Sequence, residues 1–498
     1  MNILYKEYEG NGAYVTSLAD AEYADYAAYG EKIKNEGYSF IENHMFGANY
    51  FATYAKGNDA VYLAYYPSIR EMRIVEEKDS SYLTYADEKG IKSTQSAIVQ
   101  LDLQDCGMSY MIRLDDGRLI VIDGGCKFEP DADNLMNVMD EMSEGKRPRI
   151  AAWIMTHPHS DHYRCFLPFH EKYADRIDIE KFIYNFPDLD ERNSVPWLDK
   201  DGEAEHMQLF YKYEAETGAK VYKAHTGQIY NVGNARFEVL SSFDDCFFAP
   251  VNDVNPISLI LKMTLEGQTV LWSADAYYKP NKLAARYGEY LKCDMLQVPH
   301  HGFGGGESDI EEFKLIDPKV CLYPCEERNT YECIDIYFKW NQFLFYDMNV
   351  DEVITCSNGN IVLPMPYTPC SNSRKLYLDK IYETQKSIGA KSWYFMELTP
   401  ETADFTIINA TPYPIEVYID LFFDEPTDLV KDIKIMPKGR SVTKINITDL
   451  NAVDGNALFF NRRALSKVGI PEGKKFAAHF KCKYPLVIKG RNKPEYSW

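Results

Sequence analysis

Residues 151–166 read AAWIMTHPHSDHYRCF. They place three of the chain's ten histidines, His157, His159 and His162, within one short turn, with Asp161 among them. The run RIAAWIM (149–155) before the turn is apolar enough for a buried strand. At its end His157 and His159 stand two apart, so an extended backbone turns both imidazoles the same way. Asp161 and His162 fall where the next helix should begin, and they aim at a neighbouring position. Two imidazoles for one ion and an Asp–His pair for a second satisfy a binuclear metal site. Imidazole and carboxylate suit zinc, manganese or iron, and spacing alone does not choose among them.

Outward from that turn, residues 93–368 alternate strands, turns and helices. SYMIRLDDGRLIVIDGG (109–125) reads as a hairpin turning at Asp116–Gly117. SLILKMTLEGQTVLWSADA (258–276) reads as a second, turning at Glu266–Gly267. Each second strand ends in an aspartate, Asp123 or Asp275. This weak repeat suggests two related half-domains that deliver acids to one sheet edge.

The flanks have different patterns. In LADAEYADYAAYGEKIKNEG (18–37), Tyr23, Tyr26 and Tyr29 recur every third residue and Gly37 closes the run. That predicts a helix whose aromatic stripe packs on a neighbouring sheet. Alternating strands follow, so residues 1–92 form a small α+β region. Turn-formers cluster in PYTPCSNSRK (366–375), and LYLDKIYETQKSIGA (376–390) reads as a connecting helix, giving a linker over 369–398. Residues 399–498 are rich in alternating β patterns with regular turns, which predicts a C-terminal β-sandwich.

Composition narrows the function classes. Hydrophobic content of 45% and charged content of 26% are those of a globular protein. A net charge of -21 and a pI near 5.0 argue against long nucleic acid or an anionic membrane as partner and for a small-molecule substrate. No apolar run is long enough to span a bilayer, and the start MNILYKEYEGNGAYV lacks the basic and apolar regions of a signal peptide. Eleven scattered cysteines, of which only Cys321 and Cys325 lie close, read as reduced thiols. The expectation is a cytoplasmic protein, with any oligomer built through the flanking domains.

At this point the sequence resembles a known family. THPHSDH (156–162) matches the HxHxDH signature of the metallo-β-lactamase-fold hydrolases, which implies a four-layer αββα sandwich within an α+β chain. The family's other motifs follow in order. IVIDGG (120–125) resembles the first, with Asp123 an acid behind the ligand turn and Gly124–Gly125 its tight bend. VLWSADA (270–276) resembles the motif whose aspartate bridges both metals, here Asp275. DMLQVPHHGFGGG (294–306) resembles the last, and alignment with the family's PGHG pattern makes His301 the second metal's ligand. His300 is then left to contact substrate or donate a proton. VPHHG together with NPISLIL (255–261) looks most like the subgroup holding the hydrolase domain of DNA-uptake proteins and phosphorylcholine esterase.

One stretch departs from the pattern. Many members carry a third histidine for the first metal where this chain has PVNDVNPISL (250–259), with Asn252 and Asn255 instead. Water, substrate or His225 is left to complete that site, although His225, in KAHTGQIY (223–230), reads first as a turn residue. The resemblance implies two divalent metals, zinc favoured, with ligands His157, His159, Asp161, His162, Asp275 and His301. Asp161, Asp275 and His300 are the residues expected to carry catalysis. Tyr277 and Tyr278 pack at the site rim or protonate a leaving group. The expected activity is hydrolysis of a small phosphodiester or phosphate ester by metal-activated hydroxide. Lactone or thioester hydrolysis is the alternative, followed by a non-catalytic binding protein and an iron-dependent oxidoreductase.

Overall fold

The strand Leu119–Asp123 shows how local pattern becomes architecture. Its residues alternate between two cores, Ile120 and Ile122 facing one, Leu119 and Val121 the other. Both faces of this strand are therefore covered, and a layered sandwich follows. In this computed structural model the described residues are all except 1, 9–11, 79, 81–84, 86–88, 105–106, 190–201, 246–252, 277–281, 304–309, 325–343, 345–347, 349, 357–358, 370–388, 410–414, 424–429, 438–440, 448–456, 460–473, 491–495 and 498.

The first of the two central sheets has the strand order Lys220–Lys223, Lys181–Tyr184, Arg149–Ile154, Leu119–Asp123, Ser109–Arg113, Ala97–Gln100, Ile361–Pro364. The second has the order Ile229–Val232, Ala235–Ser241, Ile260–Leu265, Gln268–Trp272, Met295–Gln297, Val320–Leu322, Glu352–Ile354. Each sheet is part antiparallel and part parallel, and in each the central hairpin hands over to parallel strands. The repeat read from the two hairpins is thus present as two similarly built sheets. The hairpins differ in their turns. Leu265 pairs with Gln268, so Glu266 and Gly267, both at positive φ, form a two-residue turn. Leu114 instead bonds to Arg118 across a three-residue loop in which Gly117 alone has positive φ.

Between the sheets lies one core, with Ile98, Tyr110, Trp272 and Met295 among its members. The helices Glu129–Met142, Phe166–Tyr173 and Glu203–Thr217 cover the outer face of the first sheet, where Trp153 is buried. Leu283–Tyr287 and Ile310–Ile316 cover the outer face of the second. The result is the metallo-β-lactamase-like αββα sandwich expected from the motifs.

Residues before Lys78 form a six-stranded antiparallel sheet with the helix Tyr23–Asn35 on one face. Tyr26 and Tyr29 of the predicted stripe pack on that sheet, and Tyr23 and Tyr26 lie against Tyr50 and Tyr65. The opposite side is not independent of the sandwich. Phe46, Phe51 and Tyr66 share the core of the second sheet's outer face with Leu240, Leu271 and Tyr287. The chain divides into two compact units near Pro369, and this N-terminal sheet belongs to the first.

In the second unit, two sheets share the long strand Phe476–Gly490. Ala390–Leu398 and Val417–Phe423 flank its first half, and Asp404–Asn409 pairs with its second. Phe395, Phe405, Ile419 and Phe480 fill the space between. The first strand starts at Ala390, inside the stretch the sequence assigned to the linker, and most of the connecting helix read over 376–390 lies outside the described residues. No helix among the described residues is long and apolar enough to cross a membrane.

Candidate metal centre

The His-rich turn follows the strand Arg149–Ile154 of the first sheet, and its geometry is set from below by Asp123. This fully buried carboxylate ends the neighbouring strand. Its Oδ1 accepts the Thr156 N–H at 2.7 Å, and its Oδ2 accepts the Thr156 hydroxyl at 2.7 Å and faces His162 Nδ1 at 2.8 Å. His301 Nδ1 lies 3.0 Å from the Pro324 carbonyl, and His157 Nδ1 3.2 Å from Thr156 Oγ1. Each of these buried imidazoles is therefore held at Nδ1 and presents Nε2 to one shared space, an arrangement that fixes the tautomer of metal-binding histidines.

Asp275 enters that space from the second sheet. Its Oδ1 lies 3.3 Å from His162 Nε2 and 3.6 Å from His301 Nε2, and its Oδ2 lies 3.8 Å from His157 Nε2. Asp161 Oδ2 lies 3.1 Å from His301 Nε2. Two donor groups result, Asp161–His162–Asp275–His301 and His157–His159–Asp275, and Asp275 belongs to both. Within each group the donor atoms all lie within 4.8 Å of one another. Nε2 of His157, His162 and His301 and Oδ1 of Asp275 are buried without a hydrogen bond. Unsatisfied buried donors and acceptors are costly, so these atoms, spread over two donor groups that share Asp275, suit bound cations. Divalent cations fit this set: imidazoles with carboxylates, one carboxylate shared.

The electrostatics agree. Burial disfavours charge throughout, yet Asp275, Asp161 and Asp123 hold His162 protonated well above the usual imidazole range. Asp275 and Asp161 likewise outweigh burial at His301 and raise it to about 9. Burial, reinforced by His162, pushes His157 well below its ordinary value. Against the same burial, His162 and His301 hold Asp275 well below the carboxylate range.

Backbone strain gathers at the same place. Asp123, Ala274, His300 and His301 all have positive φ, at 59°, 47°, 49° and 52°. Each such residue costs on the order of 1–3 kcal/mol and persists only where its surroundings enforce it. The enforcing group beside Asp275 is Gln297, which sequence reasoning missed. Its buried Oε1 accepts the N–H groups of Ser273 and Ala274 at 2.8 and 2.6 Å. Only its burial in the strand Met295–Gln297 could have drawn attention to it. The left-handed pair His300–His301 sends the two rings apart, with centroids 6.2 Å from each other.

His300 stands at the rim. Its Nε2 is 3.8 Å from Asp275 Oδ2 and 3.4 Å from Asn255 Nδ2. Asp253, also missed in the sequence, lies 3.4 Å from His159 Nε2. Asn252, Tyr277 and Tyr278 lie outside the described residues. His225 requires a correction. It is fully buried away from these groups, its Nδ1 2.9 Å from Asp244 Oδ2 and its Nε2 2.8 Å from Glu77 Oε2, with its ring stacked on Tyr62. Both nitrogens are committed to carboxylates, so it does not complete the first donor group.

Residues 107–239 match the family model described as Metallo-beta-lactamase superfamily, so the chain carries a domain of that superfamily. The matched segment includes Asp123 and the His-rich turn. No curated protein matches the chain in sequence. Among solved structures, a Parabacteroides distasonis protein bearing the name metal-dependent hydrolase is 14% identical. That match covers 56% of this chain and 100% of the other, with a TM-score of 0.30. The Giardia intestinalis flavodiiron protein is 14% identical over 41% of this chain and 49% of its own, with a TM-score of 0.23. The Anabaena sensory rhodopsin transducer is 20% identical over 21% of this chain and 84% of its own, with a TM-score of 0.17.

Proposed function

We propose that the first unit is a binuclear metal-dependent hydrolase of a small phosphodiester or phosphate ester. The observation that carries this is one buried carboxylate, Asp275, belonging to two converging donor groups. Divalent ions held there supply a nucleophilic water at neutral pH and positive charge for the developing oxyanion. The imidazole-rich donor set favours zinc, with manganese or iron as alternatives. Around it, Asp123 orients His162 and Gln297 braces the backbone before Asp275, and we assign to His300, at the rim, the proton donated to a leaving group. Two cations held there would suit the charge of a phosphoryl group, and the acidic chain disfavours a long polyanion.

Elemental analysis of the purified protein with substrate assays tests this. The expected result is two transition metals per chain, with Asp275→Asn and His159→Ala each abolishing hydrolysis of a bis-aryl phosphate while the fold persists by circular dichroism. A chelator should strip the group of three donors before the group of four. One metal per chain in excess metal, or near-wild-type turnover in either variant, would reject the binuclear reading. Turnover of lactones or thioesters with phosphodiesters untouched would keep the metals and reject the substrate class.

A further inference from the structure

The two segments that leave the second sheet beside the metal centre are both tied to the N-terminal sheet. After Ser241 the chain makes the turn Phe243–Asp245, and after Asp275 it reaches the helix Leu283–Tyr287. Asp245, wholly buried, joins them. Its Oδ1 accepts Arg286 Nη1 and also Arg73 Nη1, which comes from the N-terminal strand Glu71–Glu77. Its Oδ2 accepts the Ser242 N–H at 3.1 Å and the Thr226 hydroxyl. Lys282 pairs with Glu71 of the same strand.

From that anchor, packing leads to the metal centre. Phe243 shares a core with Val254, which precedes the second turn, Asn255–Ile257, and with Ile257, which ends it. At this turn Asp253 stands against His159 and Asn255 against His300. The segment closes back on the His-rich turn where the Leu259 N–H donates to the Thr156 carbonyl at 3.0 Å.

We infer that Arg73 is a positioning residue for the metal centre: by gripping Asp245 it sets the turn on which Val254 and Ile257 pack, and so places Asp253 beside His159. The inference rests on reading His159 as a metal-site residue. Asp253 then accepts from Nε2 and leaves Nδ1 for the ion, as carboxylates do behind metal-bound imidazoles. The N-terminal sheet, whose purpose no motif revealed, is on this account part of the active-site framework.

Arg73→Met is a clean probe, because it keeps much of the side-chain volume and leaves Asp245 paired with Arg286, so no carboxylate is orphaned in the core. Full-length wild type, Arg73→Met, Arg73→Lys and Asp253→Asn would be compared by hydrogen exchange and by cobalt titration followed through the metal's visible absorption. Arg73→Met should speed exchange of the amides of residues 253–259. It should also weaken the first cobalt site roughly 10–100-fold, the usual cost of losing an outer partner, and leave the second within about threefold. Arg73→Lys should restore part of both effects. Asp253→Asn should weaken the first site without altering exchange. If Arg73→Met fails to fold, the same graded change must appear in Arg73→Lys. A variant with a lower melting temperature but wild-type exchange over 253–259 and wild-type cobalt affinities would show a merely structural role and overturn the inference. Should the wild type take up no cobalt, the metal reading falls, and exchange over 253–259 alone decides whether Arg73 holds the segment.

Discussion

His300 and His301 are neighbours in sequence with separate fates. His301 is buried, with Nδ1 at the Pro324 carbonyl and Nε2 in the donor group, whereas His300 is partly exposed at the rim. His301→Ala should therefore empty the four-donor site and lose turnover with it. His300→Ala should keep both metals and lose turnover by roughly 10²–10⁴, the range of a general acid. That loss should shrink for nitrophenyl leaving groups, which need little protonation. Metal analysis beside a leaving-group series checks both, and a His300→Ala variant that loses a metal would reverse the assignment. The four residues of the His-rich turn were legible because their spacing is local. Asp253 and Gln297 were not, because their partners are His159 and the backbone of Ser273–Ala274, distant in the chain. His225 shows the same limit, since nothing nearby announces Glu77 as a partner.

Strands and turns decide how accurately those residues are aimed. Period-two alternation made the two hairpins legible, while the sandwich itself came from the motif resemblance. The two acids expected at one sheet edge stand at two sheets, Asp123 ending its strand and Asp275 three residues past Gln268–Trp272. Turn chemistry was readable in part: Glu266–Gly267 forms the two-residue turn, while the Asp116–Gly117 loop takes one residue more. The corner after Asp123 is the most demanding element. Gly125 has φ of 97°, its N–H donates to the His162 carbonyl at 3.0 Å, and its carbonyl accepts the Cys165 N–H at 2.9 Å. A Cβ there would lie 2.8 Å from Leu103 Cδ1. Gly125→Ala combines backbone strain with a clash in a filled core, and should destabilise by about 1–3 kcal/mol. Because the shifted backbone carries His162, metal affinity should fall together with the urea midpoint. Unchanged affinity in a clearly destabilised Gly125→Ala would show that the corner does not transmit to the ligand.

Across the whole first unit, the N-terminal sheet is joined to the sandwich by buried charge, and this sets a pH range for stability. Strand alternation made the sheet itself legible. Its docking was not, because Arg73, Glu77, His225, Asp244 and Asp245 meet only after folding. Burial opposes the charge on His225, but Asp244 and Glu77 outweigh it and raise the imidazole to about 9 from an ordinary 6.5. Glu77, with His225 and Lys223 outweighing its burial, is lowered to about 2 from 4.5. The raised histidine stabilises the fold fully below pH 6.5, and that contribution is lost as pH climbs through 9. The lowered glutamate stabilises it above pH 4.5, and that contribution is lost as pH falls towards 2. The two shifts share the His225–Glu77 contact, so they do not simply add, and the histidine's part, in which Asp244 leads, is roughly 3 kcal/mol. Stability from this cluster should therefore be greatest between pH 4.5 and 6.5 and decline from 6.5 to 9. His225→Gln retains hydrogen-bonding capacity but cannot titrate, so it should be less stable than wild type at pH 6, with the gap narrowing towards pH 9. Urea unfolding of both proteins across that range isolates the cluster, because titrations elsewhere cancel in the difference. A gap that stays constant with pH would mean His225 is neutral in the folded protein.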